Sequence, residues 1–297
     1  MKPKKSLGQN FLINPRVAER IAKEANISST DIVLEIGPGK GYLTKYLLPK
    51  AKKVIAVEKD ERLADELAEK YKKEVAKKKL IIIKKDILDF ATQDAISNFC
   101  SGPRPRGPDR SQKLKLHLGY KIVANIPYNI TGAILKKFLS GKNKPESMTL
   151  MVQQEVAERM MARDGKESLL SISVKAYGTP KILFNVSRGN FFPAPNVDSA
   201  VIGIKDIHDN LDEDLFWEVL HAGFAHKRKK LFSNLKTLVQ DVSLRHSHSV
   251  LEGQVLSGRS EDSFEKHLAR VLGNKRAEEL SVDDWVNLLK IIHINKK

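Results

Sequence analysis

From Ile32 onward, short apolar runs alternate with longer stretches of helical period. The runs at 32–36, 54–57, 80–83, 122–124 and 149–152 are rich in Ile and Val and bounded by turn or acidic residues. Continuous apolar runs of that length predict strands buried on both faces. The intervening stretches 43–48, 61–76, 133–139 and 155–162 predict helices. Strands alternating with helices predict an α/β fold with a parallel sheet built from right-handed crossovers. After residue 165 the rhythm changes. The stretches 172–177 and 181–186, separated by Gly178-Thr179-Pro180, predict a hairpin, and 201–205 a further strand. Beyond Asp206 the period is helical, at 213–222, 228–239, 264–272 and 282–292. Ser281 is placed to cap the last of these, with Asp283 and Asp284 favourably sited in its first turn. The pattern divides the chain into an α/β domain over 1–205 and a smaller α-helical domain over 206–297.

Two stretches do not fit a compact fold. Residues 97–119 mix Gly102, Pro103, Pro105, Gly107 and Pro108 with Arg104, Arg106 and Arg110, the composition of a flexible basic insertion. It reads as a solvated insertion or as an RNA-touching loop. Residues 244–263 are rich in Ser and His, and His246 and His248 alone are too few to mark a metal site.

Length and charge add to this picture. At roughly 150 residues per domain, 297 residues suit two domains with cores that need no metal or disulfide staple. Lys and Arg number 52 against 36 Asp and Glu, a net charge of +16 that favours a polyanionic partner or serves solubility alone. The single cysteine, Cys100, excludes an intramolecular disulfide framework and a multi-cysteine zinc site. No apolar run is long enough to span a bilayer, and Met1–Ser6 is basic without the apolar core of a secretory signal. No metal and no membrane partner are expected.

Candidate chemistry lies at the strand ends. Ile32 to Gly41 reads as a buried strand, a glycine turn and the start of a helix. Gly37, Gly39 and Gly41 allow positive φ and close approach of a ligand to the backbone. Tyr42 stands where a dinucleotide fingerprint has its third glycine, so a nucleoside suits the turn better than a pyrophosphate. Glu58 ends the next strand about 20 residues after Gly37, where a carboxylate accepts from both ribose hydroxyls. Asp86 follows the third strand and can accept from an adenine amino group. In a parallel sheet Glu35, Glu58 and Asp86 face one crevice. Together they point to an adenosine-containing cofactor, and S-adenosylmethionine suits them better than NAD.

The fourth strand ends in Asn125-Ile126-Pro127-Tyr128. An exocyclic amine on an aromatic base is a poor nucleophile, because its lone pair is delocalised into the ring. A site that methylates it needs two acceptors holding its N–H groups. The Asn125 side-chain oxygen and the Pro127 carbonyl supply them, and Tyr128 offers a face for the base. Phe191-Phe192-Pro193-Ala194-Pro195 reads as a rigid extended segment that holds Phe191 over the base, core packing of one of the two phenylalanines being the competing reading. The basic run His226, Lys227, Arg228, Lys229 and Lys230 opens a helix of the second domain and suits RNA phosphates.

The segment Lys5 to Leu12, the GPGKG turn, the Asn-Ile-Pro-Tyr tetrapeptide, the segment from Phe191 to Ser199 and Ala225 to Lys229 occur in one order. In that order they resemble the bacterial-type small-subunit (16S) ribosomal RNA adenine N6,N6-dimethyltransferase family over nearly the whole chain. The resemblance implies a Rossmann-like S-adenosylmethionine-dependent methyltransferase domain, acting during ribosome biogenesis on two adjacent adenines near the 3′ end of small-subunit rRNA. It implies cofactor contacts at Asn10 and Leu12, beside Gly37, Glu58, Asp86 and Asn125, and a monomeric enzyme. The family motif begins at Lys5, which leaves too few residues for a transit peptide, so a cytoplasmic location is expected. The enlarged 97–119 and 244–263 stretches, and Phe232-Ser233-Asn234 after the basic run, depart from the family pattern. A large-subunit adenine methyltransferase of the macrolide-resistance type shares the glycine turn and the tetrapeptide. A non-catalytic RNA-binding assembly factor on the same fold is the alternative from another class.

Overall fold

The computed structural model describes residues 4, 8–91, 119–162, 164–209, 211–238 and 261–294. Most of the 97–119 insertion, the 244–260 stretch, Cys100 and Lys5 to Leu7 lie outside the described residues. The chain divides into two compact units, Met1–Ala157 with Gly178–His208, and Glu158–Tyr177 with Asp209–Lys297.

The first unit is built on strands β1 (Phe11–Leu12), β2 (Ile32–Ile36), β3 (Lys53–Glu58), β4 (Leu80–Lys84), β5 (Tyr120–Asn125), β6 (Ser147–Gln153), β7 (Thr179–Val186), β8 (Phe191–Phe192) and β9 (Ser199–Lys205). Seven of them form one sheet in the order β4-β3-β2-β5-β6-β9-β7. The first five are parallel, whereas β9 runs antiparallel to both β6 and β7. The sheet is therefore mixed, with the expected parallel part in β2 to β6 and an antiparallel part in β7 and β9. All five residues of β2 are buried, the four apolar ones as a central parallel strand requires and Glu35 with them. The remaining two strands, β1 and β8, pair as a short antiparallel ribbon.

The chain leaves β2 for β3 and β4 on one side, then returns to place β5 on the other. That reversal opens a crevice beyond the carboxyl ends of β2 and β5, the place where open α/β sheets bind ligands. Gly37, Gly39 and Gly41 adopt φ of +62°, +55° and +72° there. At Gly41 a Cβ would also stand 2.6 Å from Leu67 Cδ1 and 2.9 Å from the Tyr71 ring. Gly41→Ala is therefore expected to lower unfolding stability by about 2 kcal/mol, from left-handed backbone strain plus overpacking. Chemical denaturation would register it as a lower midpoint at unchanged slope.

The expected hairpin is corrected by the structure. Residues 169–175 form a helix, and β7 pairs with β9 instead. Ser-Ile-Ser-Val alternates like a strand, but Ser168 caps the helix, accepting from Ser171 N at 3.1 Å while Ser171 Oγ takes the Ser168 N–H at 2.6 Å. That reciprocal box fixes a helix start which the alternation conceals. Residues 158–177, assigned by sequence to the first domain, belong to the second unit.

In the second unit, helices Leu169–Lys175, Glu213–Phe224, Glu261–Leu272 and Val282–Ile294 and a helix over 231–238 surround Phe216, Leu220, Leu231, Leu268 and Trp285. Trp285 stacks on Phe224 at 5.4 Å, and its ring passes so close to Gly223 that a Cβ there would sit 2.4 Å from it. Ser281 caps the last helix, accepting from Asp284 N at 3.1 Å and donating to the Asp284 carboxylate at 2.9 Å. Among the described residues no helix is long and apolar enough to cross a membrane.

Candidate active site

Five segments of the first unit supply most of the crevice lining, with Glu35, Leu43 and Leu63 beside them. The five are Gly8–Leu12, the turn from Gly37 to Tyr42, Glu58 with Lys59, Lys85 to Ile87, and Asn125 to Ile130. Asn10, Leu12, Gly37, Glu58, Asp86, Asn125, Pro127 and Tyr128, all expected from sequence, thus meet in one pocket.

Glu58 is buried at the end of β3, where its Oε2 accepts from Gly39 N at 3.0 Å and its Oε1 from Asp60 N at 2.9 Å. Burial raises its pKa, and these backbone donors oppose the rise. Each oxygen keeps a lone pair, so the carboxylate can take two further hydroxyl donors. Asp86 accepts Lys59 Nζ at 2.7 Å and Leu88 N at 2.9 Å, and the Lys59 contact holds its pKa below the ordinary value. Nothing lies within 4 Å of where a Cβ of Gly37 would stand, which leaves that backbone open to a ligand. Ile36, Val57, Leu63 and Ile87 add apolar walls. A carboxylate for two hydroxyls, an acceptor beside it, bare backbone and apolar flanks fit a nucleoside.

Beneath the glycine turn, Glu35 is 1% exposed and accepts the Thr44 hydroxyl at 2.7 Å. Burial pushes its pKa up to about 8.

On the far wall, Asn125 Nδ2 donates to the Asn10 carbonyl at 3.3 Å. That bond sets the amide's orientation and leaves Oδ1 as the atom available to accept. Pro127 O accepts a long 3.3 Å bond from Ile130 N. The Tyr128 hydroxyl is tied to Ser199 Oγ at 2.6 Å, which anchors the ring at its far end. Burial raises the Tyr128 pKa, so the phenol stays neutral.

Phe191 is a correction. It is 3% exposed and lies in the hydrophobic core with Leu12, outside the pocket lining, whereas Phe192 is 61% exposed. Alternate residues of a strand face opposite sides. The ribbon register sets Phe191 opposite buried Leu12, and Phe192 opposite Phe11, which lines the pocket. The basic run is also displaced from its expected place. Residues 226–230 form an exposed turn before the helix over 231–238 rather than its first residues. Asn234 pins that turn, donating to the Gly223 and His226 carbonyls at 2.6 and 3.1 Å.

Thr44, Asp60 and Ser199 complete the site without having been singled out from sequence. Asp60 left a sequence signal as an Asp directly before a helical stretch, and Ser199 as the last residue of the segment from Phe191. Among the described residues no group of three His, Cys, Asp or Glu could hold a metal ion.

A family model described as ribosomal RNA adenine dimethylase matches residues 1–293. The ribosomal RNA small subunit methyltransferase A of Dehalococcoides mccartyi is 37% identical over 292 residues, covering 97% of this chain and 88% of that protein. The crystal structure of a dimethyladenosine transferase from Plasmodium falciparum superposes with a TM-score of 0.74 at 28% identity, covering 96% of this chain and 98% of that one. The 23S rRNA methyltransferase ErmE shares the fold, with a TM-score of 0.62 at 23% identity over 96% of this chain and all of the other.

Proposed function

We propose, from the premise that the chain belongs to the ribosomal RNA adenine dimethylase family, that it dimethylates N6 of two adjacent adenines near the 3′ end of small-subunit rRNA. It is an S-adenosylmethionine-dependent RNA methyltransferase. The observation that carries the reading is a single pocket that joins Glu58 and Asp86 to the Asn125–Tyr128 wall.

Glu58 would hold the ribose hydroxyls, Asp86 the adenine amino group, and Asn10, Leu12 and Gly37 the rest of the cofactor. Bound there, S-adenosylmethionine would supply an electrophilic methyl on a sulfonium with a neutral thioether as leaving group, and the proton of the target amine would leave to solvent. Asn125 Oδ1 and the Pro127 carbonyl accept the two N–H bonds of the target amine, which turns its lone pair away from the ring. Tyr128, held by Ser199, gives the flipped base a fixed face. The chain's residues thus supply position and acceptors, and no strong general base is required. The first unit, residues 1–157 with 178–208, is the catalytic domain in this reading. In the second domain His226, Lys227, Arg228 and Lys229, all exposed, contact rRNA phosphates. The substrate is an immature small subunit, met in the cytoplasm by a monomer.

Labelled S-adenosylmethionine supplied with separately purified, unmethylated small and large subunits tests this. N6,N6-dimethyladenosine is expected from the small subunit alone, identified by mass spectrometry of digested RNA. Label confined to the large subunit would reassign the target, and no label with RNA binding intact would leave a binding protein. Expression is likewise expected to leave a macrolide-sensitive host sensitive, and clear resistance would overturn the small-subunit assignment.

A further inference from the structure

Asp60 is 2% exposed, and its carboxylate gathers more donors than its place at a helix start requires. As the cap of helix Glu61–Lys70 it needs only the Arg62 N–H, at 3.3 Å. It also takes the Arg62 guanidinium in a fork, Nε at 3.0 Å and Nη2 at 2.8 Å. Two further donors come from the N-terminal segment, Gln9 Nε2 at 3.2 Å and Lys4 Nζ at 3.5 Å. Gln9 is fully determined, because its Oε1 accepts Lys4 N at 2.7 Å while its Nε2 faces Asp60. On its other side the Asp60 backbone N–H donates to Glu58 Oε1. The residues directly after Gln9 carry the pocket wall, and the Asn10 carbonyl orients Asn125.

We propose that Asp60 is a positioning residue which, through Gln9, holds the Gly8–Leu12 segment across the cofactor pocket. The inference rests on reading that pocket as the S-adenosylmethionine site. Asp60 itself does not line the pocket. It sits between the two walls and ties both, the Glu58 carboxylate by its backbone and the N-terminal segment by its side chain. With the tie cut, the segment must be ordered by the cofactor, so affinity falls while the saturated site regains its geometry.

Gln9→Glu keeps the acceptor for Lys4 but sets a carboxylate against Asp60. Binding of S-adenosylhomocysteine, measured by calorimetry, is expected to weaken about tenfold, the scale of one hydrogen bond to a charged group. KM for S-adenosylmethionine is expected to rise by a similar factor, with kcat at saturation within about twofold of wild type. Asn caps helices as well as Asp, so the double variant Gln9→Glu with Asp60→Asn reverses donor and acceptor across this bond. Because the Asn also loses the fork with Arg62, its reference is Asp60→Asn alone, and the double variant is expected to bind within about threefold of that single variant, which a direct effect of the new carboxylate on the cofactor would not allow. Wild-type affinity in Gln9→Glu, or a double variant about tenfold weaker than Asp60→Asn alone, overturns the proposal. Failure of the wild-type protein to bind S-adenosylhomocysteine would overturn the reading of the pocket instead.

Discussion

Asn125→Ala is expected to lower the methylation rate of unmethylated small-subunit rRNA by about 10²–10³-fold, with little change in folding stability. The side chain is only partly buried, so truncation opens no core cavity. What it removes is the acceptor that Oδ1 presents, in a site that works by positioning, and losses of this size accompany removal of one preorganised polar group. Asn125→Asp keeps an acceptor but forfeits the donor to the Asn10 carbonyl, and a carboxylate facing a carbonyl would turn away. It is expected to recover little of the loss. Single-turnover assays at saturating S-adenosylmethionine check both variants. If Asn125→Ala still holds immature small subunits in a pull-down, an assembly role stands beside catalysis; release of the subunits would confine the protein to catalysis.

The central strands were legible because a parallel sheet buries both faces, so that each strand is a bare apolar run such as Val54 to Val57. The pocket was legible for a related reason. Parallel strands end on one edge, and whatever polar residue follows each run, Glu58, Asp86 or Asn125, is delivered to the same crevice. Alternation failed where it was short or ambiguous. At residues 169–175 a reciprocal serine cap outweighed a strand-like pattern. In the two-residue ribbon, nothing local says which phenylalanine turns inward. The answer depends on register with Phe11 and Leu12, some 180 residues away in sequence. The Asp60 tie was invisible for the same cause, since its partners Gln9 and Lys4 are brought to it by the fold. The basic run at 226–230 was placed inside a helix, because Lys and Arg suit helices and turns alike and Asn234 decides between them through the Gly223 carbonyl.

Glu35 yields the other large effect, on stability against pH. The carboxyl is buried under the glycine turn with one hydroxyl donor and with Glu58 as a like-charged neighbour, and its pKa stands at about 8 against an ordinary 4.5. Between those values the folded protein keeps a proton that the unfolded chain has released. Folding therefore binds protons in this window, and its contribution to stability, complete below pH 4.5, is lost as pH rises through 8. Glu35→Gln removes the titration while preserving shape and an acceptor for Thr44. Relative to the variant, the wild type is expected to lose about 3 kcal/mol of unfolding free energy between pH 5 and pH 8. Urea melts of both proteins across that range check it, and parallel curves would show that Glu35 is ionised in the folded state throughout. Glu35 also lines the cofactor pocket, so a positively charged ligand bound there favours the ionised form and pulls the pKa down. Saturation with S-adenosylmethionine, a sulfonium cation, is then expected to narrow the stability difference at pH 8 more than at pH 5, whereas S-adenosylhomocysteine, which lacks that charge, narrows it less.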